Sequence, residues 1–251
     1  MKNLLRKSCL CWLLLIFLSG CSDITAEVNE GETVLTETAN SQLPLTYILP
    51  PPVTESGVSV EEAIASRRSR RDFQDKPLTV EQLSQILWAA YGITQPVPDN
   101  PQLRGGLRTT PSAGALFPLE IYVVIGNVTG IELGVYKYDS EQHKIIRTIN
   151  RDVREELSAA ALNQLMIRDA PITIVYTAVF DRVVERYGAR GRERYVFMEI
   201  GHSAQNVYLQ AEALGLGTCA VAAFIDSRVS ELLQLPAGEE PFYLMPVGYI
   251  R

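Results

Sequence analysis

Residues 110–118 read TPSAGALFP and run directly into the apolar stretch LEIYVVIG, residues 119–126. Prolines bound the first segment, and Ser112, Ala113, Gly114 and Ala115 between them carry little side chain, so backbone there can approach a flat ligand closely. The run Leu119 to Ile125 reads as a buried strand. A tight connection entering such a strand is the simpler reading of one Gly/Pro/Ser segment. A loop lining a pocket needs support from elsewhere in the chain.

Upstream, residues 93–109 form a Pro-, Gly- and Gln-rich loop. Before it, Thr79 and Gln82 make a capping box for a helix whose apolar stripe is Leu83, Ile86, Leu87 and Ala90, ending at Gly92. Ser59 is an N-cap for a helix through Glu61, Glu62, Ala63 and Ile64 into Arg67. Arg67-Arg68-Ser69-Arg70-Arg71 follows, closed by Asp72 and Phe73. Guanidinium groups around a hydroxyl suit a phosphate, because they offer paired donors of permanent charge; a solvated basic face has the same composition.

Downstream, Glu132–Tyr138 and Lys144–Thr148 read as a hairpin around residues 139–143. Helical spacing at Val153, Leu157, Ala161 and Leu165 predicts a helix over Arg151–Met166. Ile172–Val179 is rich in β-branched residues and reads as a central strand. The polar stretch Asp181–Arg194 carries Arg182, Arg186, Arg190, Arg192 and Arg194 with Tyr187, and belongs at a surface or cleft. Tyr195–Leu214 is the longest helical pattern, with Phe197, Ile200, Ala204, Val207, Tyr208, Ala211 and Leu214 on one face. Gly215 and Gly217 break it. Thr218–Phe224 is a short strand or loop, Ser227–Leu233 a helix, and Phe242–Ile250 a final strand. The expected class is α+β, a sheet flanked by helices around one long central helix.

The 251 residues are 47% hydrophobic and 21% charged, the balance of a folded domain, and the formal charge of −6 offers nothing to nucleic acid. Lys2, Arg6 and Lys7, the short apolar core Cys9–Leu18 and the small residues before Cys21 make a secretory signal too short to span a bilayer. Its end, Leu18-Ser19-Gly20-Cys21, resembles a bacterial lipobox. That resemblance implies lipidation of Cys21 and a membrane-anchored lipoprotein outside the cytoplasm, on the periplasmic side in a double-membraned bacterium, with Ser22 matching signals that pass to the outer membrane. Removing residues 1–20 deletes three basic and no acidic residues, taking the charge from −6 to −9. Cys219 is then the one free thiol, and no disulfide framework exists. Residues 21–56 read as a lipid-anchored flexible tether stiffened by Pro50-Pro51-Pro52, with the folded domain at 57–251. No twin-arginine pair is present, so the chain is expected to cross unfolded and acquire any cofactor outside.

The ordered set RRSRRDF (67–73), TPSAGALFPLEIYVV (110–124), GVYKYD (134–139), RYGARG (186–191), GHSAQNVYLQAEALGLGTCAVAAF (201–224) and PVGYI (246–250) resembles the nitroreductase superfamily, most closely its SagB-type branch of thiazoline and oxazoline dehydrogenases. The resemblance implies a mixed, mainly antiparallel sheet, FMN as cofactor, and a homodimer along the long helix with the flavin at the subunit boundary. It assigns Arg67, Arg68, Ser69 and Arg71 to the FMN phosphate and ribityl oxygens. Pro111, Ser112, Ala113 and Gly114 fall beside the flavin ring, and Ala222 and Ala223 present backbone N–H groups to its N5 and O4 edge. Gln205 and Asn206 sit in a family-like helix motif. Azoline-oxidising members carry a Lys-Tyr pair where this chain has Arg186-Tyr187; arginine is no base at ordinary pH, while Tyr187 can still move a proton. Arg186, Tyr187 and Tyr195 are therefore the candidates for the substrate side. Family members with a C-terminal arm draw a basic phosphate ligand from it, a role for which Arg251 remains.

Only His143 and His202 are present, with no ligand spacing, so no metal is expected; His143 reads as a solvated loop residue and His202 as a core or interface group. Gly-x-Ser-x-Gly is absent. The leading expectation is an FMN oxidoreductase exchanging a hydride between flavin N5 and a small-molecule or peptide substrate, with electrons passing to a carrier other than soluble NAD(P)H. The alternative is a catalytically inactive lipid-anchored binding or assembly protein; Ala222-Ala223, where relatives often carry glycine, favours it, and the intact arginine cluster opposes it.

Overall fold

The computed structural model describes residues 44–251; the signal and Cys21 lie outside the described residues. In chain order the elements are β1 (Thr46–Ile48), α1 (Val60–Ser66), α2 (Val80–Tyr91), β2 (Ile93–Pro96), β3 (Gly106–Arg108), β4 (Leu119–Ile125), β5 (Gly134–Asp139), β6 (Lys144–Ile149), α3 (Arg154–Ala160), α4 (Leu165–Asp169), β7 (Ile172–Val179), α5 (Asp181–Tyr187), α6 (Val196–Ala213), β8 (Gly217–Thr218), α7 (Asp226–Leu233) and β9 (Glu239–Gly248).

Seven strands form one sheet in the order β1-β6-β5-β4-β7-β9-β8, and every pairing in it is antiparallel. β4 and β7 pair along their length, from Leu119↔Ala178 to Ile125↔Ile172. Alternation along these strands sends their side chains to two cores. Ile121, Val123 and Ile125 join Ile174 and Tyr176 against Leu83, Ile86 and Leu87 of α2 and Ile200, Ala204 and Val207 of α6. Tyr122, Val124 and Val175 face Leu157 of α3, Ile167 of α4 and Val229 and Leu233 of α7. Each fully buried aliphatic side chain contributes about 1.5–3 kcal/mol, so both faces need their helices. The fold is α+β, as the sequence predicts.

Local signals fix the helix starts. Ser59 Oγ accepts from Glu62 N, and the Thr79–Gln82 capping box is complete. α6 covers the predicted central helix, entered through a π-helical turn at Gly191–Tyr195. Its buried stripe is Val196, Ile200, Ala204, Val207 and Ala211. Phe197, expected on that stripe, is instead 49% exposed and stands with Met198, 56% exposed, on the outer face.

Three segments differ from expectation. Arg151–Met166 is two short helices, because Leu162 and Asn163 take left-handed φ of 58° and 60° and turn the chain between α3 and α4. The 93–109 loop contains the β2–β3 hairpin. The stretch read as tether enters the fold ahead of Gly57: β1 pairs with β6, Leu49 is buried, and Gln85 bonds both the N–H and the C=O of Val53 at 2.8 and 3.0 Å. Prolines there lack donors, but their carbonyls still accept: Pro50 O takes the Ser84 hydroxyl at 2.6 Å.

Candidate active site

The basic cluster begins where α1 ends. Arg68 N donates to Glu212 Oε1 at 3.2 Å, Ser69 bridges in parallel to Thr218, and Arg70 N donates to Thr218 O at 2.9 Å. Tyr208 pins the junction: its hydroxyl is 3.1 Å from Ser69 Oγ and accepts from Ala220 N at 2.8 Å, while Arg67 lies over its ring at 5.2 Å. Arg251 joins through Asp72, its N–H reaching Asp72 O at 3.2 Å. Arg67, Arg68, Ser69, Arg71 and Arg251 are thus brought to one end of α6. Among the described residues no carboxylate forms an ion pair with Arg67, Arg68, Arg70 or Arg71, whereas Arg251 has Asp72 at 3.6 Å. Two buried polar atoms at the junction, Arg70 Nε and Thr218 Oγ1, have no partner. Guanidinium groups left without counter-charge beside a free hydroxyl are the donor set for a phosphate ester. The residues present therefore fit FMN. Ala222 and Ala223 follow on the same segment, both exposed, with no described acceptor for their N–H groups.

The small-residue loop runs along α6 from Asn206, beside Thr109 and Thr110, toward Glu199, beside Ser112. Gly114, Ala115 and Phe117 have φ of 61°, 55° and 47°, a conformation costing about 1–2 kcal/mol at each of the two non-glycine positions. Surrounding bonds hold it. Ser112 Oγ accepts from Phe117 N at 2.9 Å; Phe117 O accepts from Arg104 at 2.8 Å and Arg182 at 3.0 Å. Both arginines also reach Glu120, as does Lys137 at 3.1 Å. Burial pushes the Glu120 carboxyl up, but Lys137, Arg182 and Arg104 outweigh it and hold the group below its ordinary range.

Glu199, 2% exposed, lies behind the loop. It accepts from Tyr91 Oη at 2.5 Å, with Ser112 beside it, and Arg108 stands nearby over the rings of Tyr91 and Phe117 at 4.8 and 4.2 Å. Arg108 Nε and Nη1 are buried without hydrogen bonds, so the aromatic faces serve in their place. Burial raises Glu199 to about 7 against the pull of Ser112, Tyr91 and Arg108. Asn206 Nδ2 ties the loop to α6 through Thr109 O at 3.1 Å, while Gln205 is exposed.

Arg186 and Tyr187 meet this loop. A methyl group on Gly114 would stand 2.6 Å from Tyr187 Oη and 3.3 Å from Arg186 Nη1, so the bare backbone of Gly114 is what lets them approach. Tyr187 and Tyr195 pack edge to face at 5.0 Å. Pro111, Ser112, Ala113 and Gly114 are therefore grouped with Arg186, Tyr187 and Tyr195, and the arginine cluster with Ala222, Ala223 and Arg251 is grouped apart.

The sequence reading missed Tyr208, Glu212 and Glu199. Glu199 left a signal, a carboxylate one turn after Val196 and one before Ser203 on the buried stripe. His143 is not solvated: Nε2 lies 2.7 Å from Ser84 Oγ and 2.9 Å from Pro50 O, and Nδ1 lies 2.8 Å from Tyr138 Oη. His202 is exposed on the outer face of α6 rather than in the core. Among the described residues no group of three His, Cys, Asp or Glu side chains could hold a metal ion.

Residues 64–249 match the model of the nitroreductase family. The chain belongs to the nitroreductase family. A protein of Methanocaldococcus jannaschii named as a nitroreductase is 48% identical over 191 residues, covering 76% of this chain and 91% of that one. The microcin B17-processing protein of Escherichia coli is 28% identical over 172 residues, 65% of this chain and 60% of its own length. A nitroreductase crystal structure from Ralstonia eutropha superposes with a TM-score of 0.70 at 28% identity, covering 82% of this chain and 90% of the other. The family places the chain among oxidoreductases, with its antiparallel sheet and long helix as the common frame.

Proposed function

We propose that this nitroreductase-family chain is an FMN-dependent oxidoreductase of the SagB type, acting on an organic or peptide substrate and anchored to a membrane through a lipid on Cys21. The observation that carries the cofactor is the uncompensated cluster Arg67, Arg68, Ser69 and Arg71 beside Thr218. Bound FMN supplies hydride exchange at its N5. The arginines neutralise the phosphate, and Ser69, oriented by Tyr208, adds a hydrogen bond. Ala222 and Ala223 offer backbone N–H groups where negative charge grows on reduction. The 111–114 backbone forms a floor with a bare Gly114, and Tyr187 Oη above Gly114 gives or takes the proton that accompanies hydride transfer. A peptide substrate is supported by the microcin-processing relative, named for what it does to a peptide.

The arginine cluster meets α6 at Tyr208 and Glu212, and the loop reaches it at Asn206 and, through Ser112, at Glu199. At about 1.5 Å per residue, the thirteen steps from Glu199 to Glu212 span about 20 Å. A second copy packed along the exposed face carrying Phe197, Met198, His202 and Gln205 brings its own loop to the first copy's arginines. The reading is therefore a homodimer with each flavin shared.

The test is the visible spectrum of residues 22–251 after incubation with FMN and gel filtration, beside an Arg68→Ala/Ser69→Ala variant. Stoichiometric flavin retained by the wild type and lost from the variant is expected. A folded protein that retains neither FMN nor FAD overturns the reading and leaves a non-catalytic binding protein.

A further inference from the structure

The arginines around the small-residue loop are of two kinds. Arg104 and Arg182 are neutralised by Glu120, and Arg192 is bound to Glu240 at 2.7 Å. Arg186 and Arg190 form no ion pair with any described carboxylate, including Asp181, Glu185 and Glu193 on their own segment. Arg186 and Arg190 are linked through the Tyr187–Tyr195 pair. They are also held rather than free. Arg186 rests over the Tyr187 ring at 5.5 Å, Tyr187 packs against Tyr195, and Arg190 Nε donates to Tyr195 Oη at 3.0 Å. The result is a linked set of two cations and two aromatic rings, of which Arg186 and Tyr187 stand above Gly114.

Each guanidinium keeps donors free of protein partners, and a planar fork of donors recognises a carboxylate in two-point fashion. Arg186 cannot serve as a base, so its chemistry here is recognition. We infer that Arg186, backed by Arg190, binds a carboxylate of the substrate, and that the substrate class is a planar or extended molecule carrying that carboxylate next to the bond that is oxidised or reduced. This rests on the FMN reading above, since the carboxylate fixes which face of the substrate meets the ring.

The experiment uses FMN-loaded protein and two probes of one shape and different charge, benzoate and benzamide, each titrated while the absorbance of bound flavin is followed. Benzoate is expected to bind about tenfold or more tightly than benzamide, the range of a charge-assisted pair. Arg186→Gln should bring the two probes to parity, with benzamide affinity held within about twofold and flavin retained; Arg190→Gln should lose part of the preference. Arg186 is exposed, so retained flavin absorbance suffices to show that the variant is folded. Equal affinity of the wild type for both probes, or an undiminished benzoate preference in Arg186→Gln, overturns the carboxylate assignment while flavin remains bound. Absence of flavin from the wild type is the separate failure of the cofactor reading.

Discussion

Glu199 is a carboxylate kept where charge is disfavoured, and the bonds it accepts decide the shape of the loop in front of it. Ser112, whose Oγ takes the Phe117 N–H, stands beside Glu199. Burial raises the group from 4.5 to about 7. A raised carboxyl pKa means the folded chain binds that proton more tightly than the unfolded chain between these values. The resulting stability is full below pH 4.5 and is lost as pH rises through about 7. Glu199→Gln, which keeps an acceptor for Tyr91 and never ionises, removes this slope. Urea unfolding should show the two proteins within about 1 kcal/mol at pH 5 and the variant more stable by about 2–3 kcal/mol at pH 8.5. Parallel dependence on pH would mean that Glu199 is not the titrating group.

At the scale of elements, His143 joins Gln85, Ser84 and strand β6 in holding β1 and the proline segment behind it. His143 has φ of 47°, its carbonyl accepts from Leu49 N at 3.0 Å, and its ring joins Pro50, Ser84 and Tyr138. Burial lowers the His143 pKa below its usual value, with the Pro50 carbonyl opposing. The unfolded chain therefore takes the proton more readily, so this contribution is present above about pH 6.5 and is lost as pH falls below it. Hydrogen exchange at Leu49, corrected for intrinsic rate, should be faster at pH 5 than at pH 7.5 relative to amides of β7, and His143→Gln should remove the difference. The strap also marks what sequence could and could not convey. The Thr79–Gln82 box, the α2 stripe and the β-branched run of β7 are local and were legible. β1 was not, because three residues before a proline run carry no pattern apart from the partner strand β6. The break at Leu162–Asn163 was invisible for a related reason: left-handed backbone at a leucine is imposed by packing rather than propensity. At the site, residue types announced the arginine cluster and the bare loop, and the RYGARG motif drew attention to Arg186 and Tyr187. That these two stand over Gly114 depends on where α5 docks, which no local pattern encodes.

For the whole molecule, the question is whether one chain can hold a flavin with both of its clusters. If each site combines the arginines of one copy with the loop of another, two differently damaged chains can repair each other. Arg68→Ala/Ser69→Ala removes the phosphate ligands and leaves the loop intact. Gly114→Ala places a methyl group 2.6 Å from Tyr187 Oη at a φ of 61° and leaves the arginines intact. Each protein alone should turn over poorly. Unfolded together in equal amounts and refolded with FMN, half of the dimers are mixed, and one of the two sites in each mixed dimer has both halves intact. About a quarter of all sites should then be of wild-type composition, and activity should recover to about that share. Sites built within a single chain give no recovery at any mixing ratio, since every chain carries one lesion. A Phe197→Glu/Met198→Glu variant sharpens the outcome: with carboxylates on the exposed face of α6, gel filtration should show a monomer, and flavin retention should fall with it. Retention of stoichiometric flavin by that monomer would place both halves of the site in one chain.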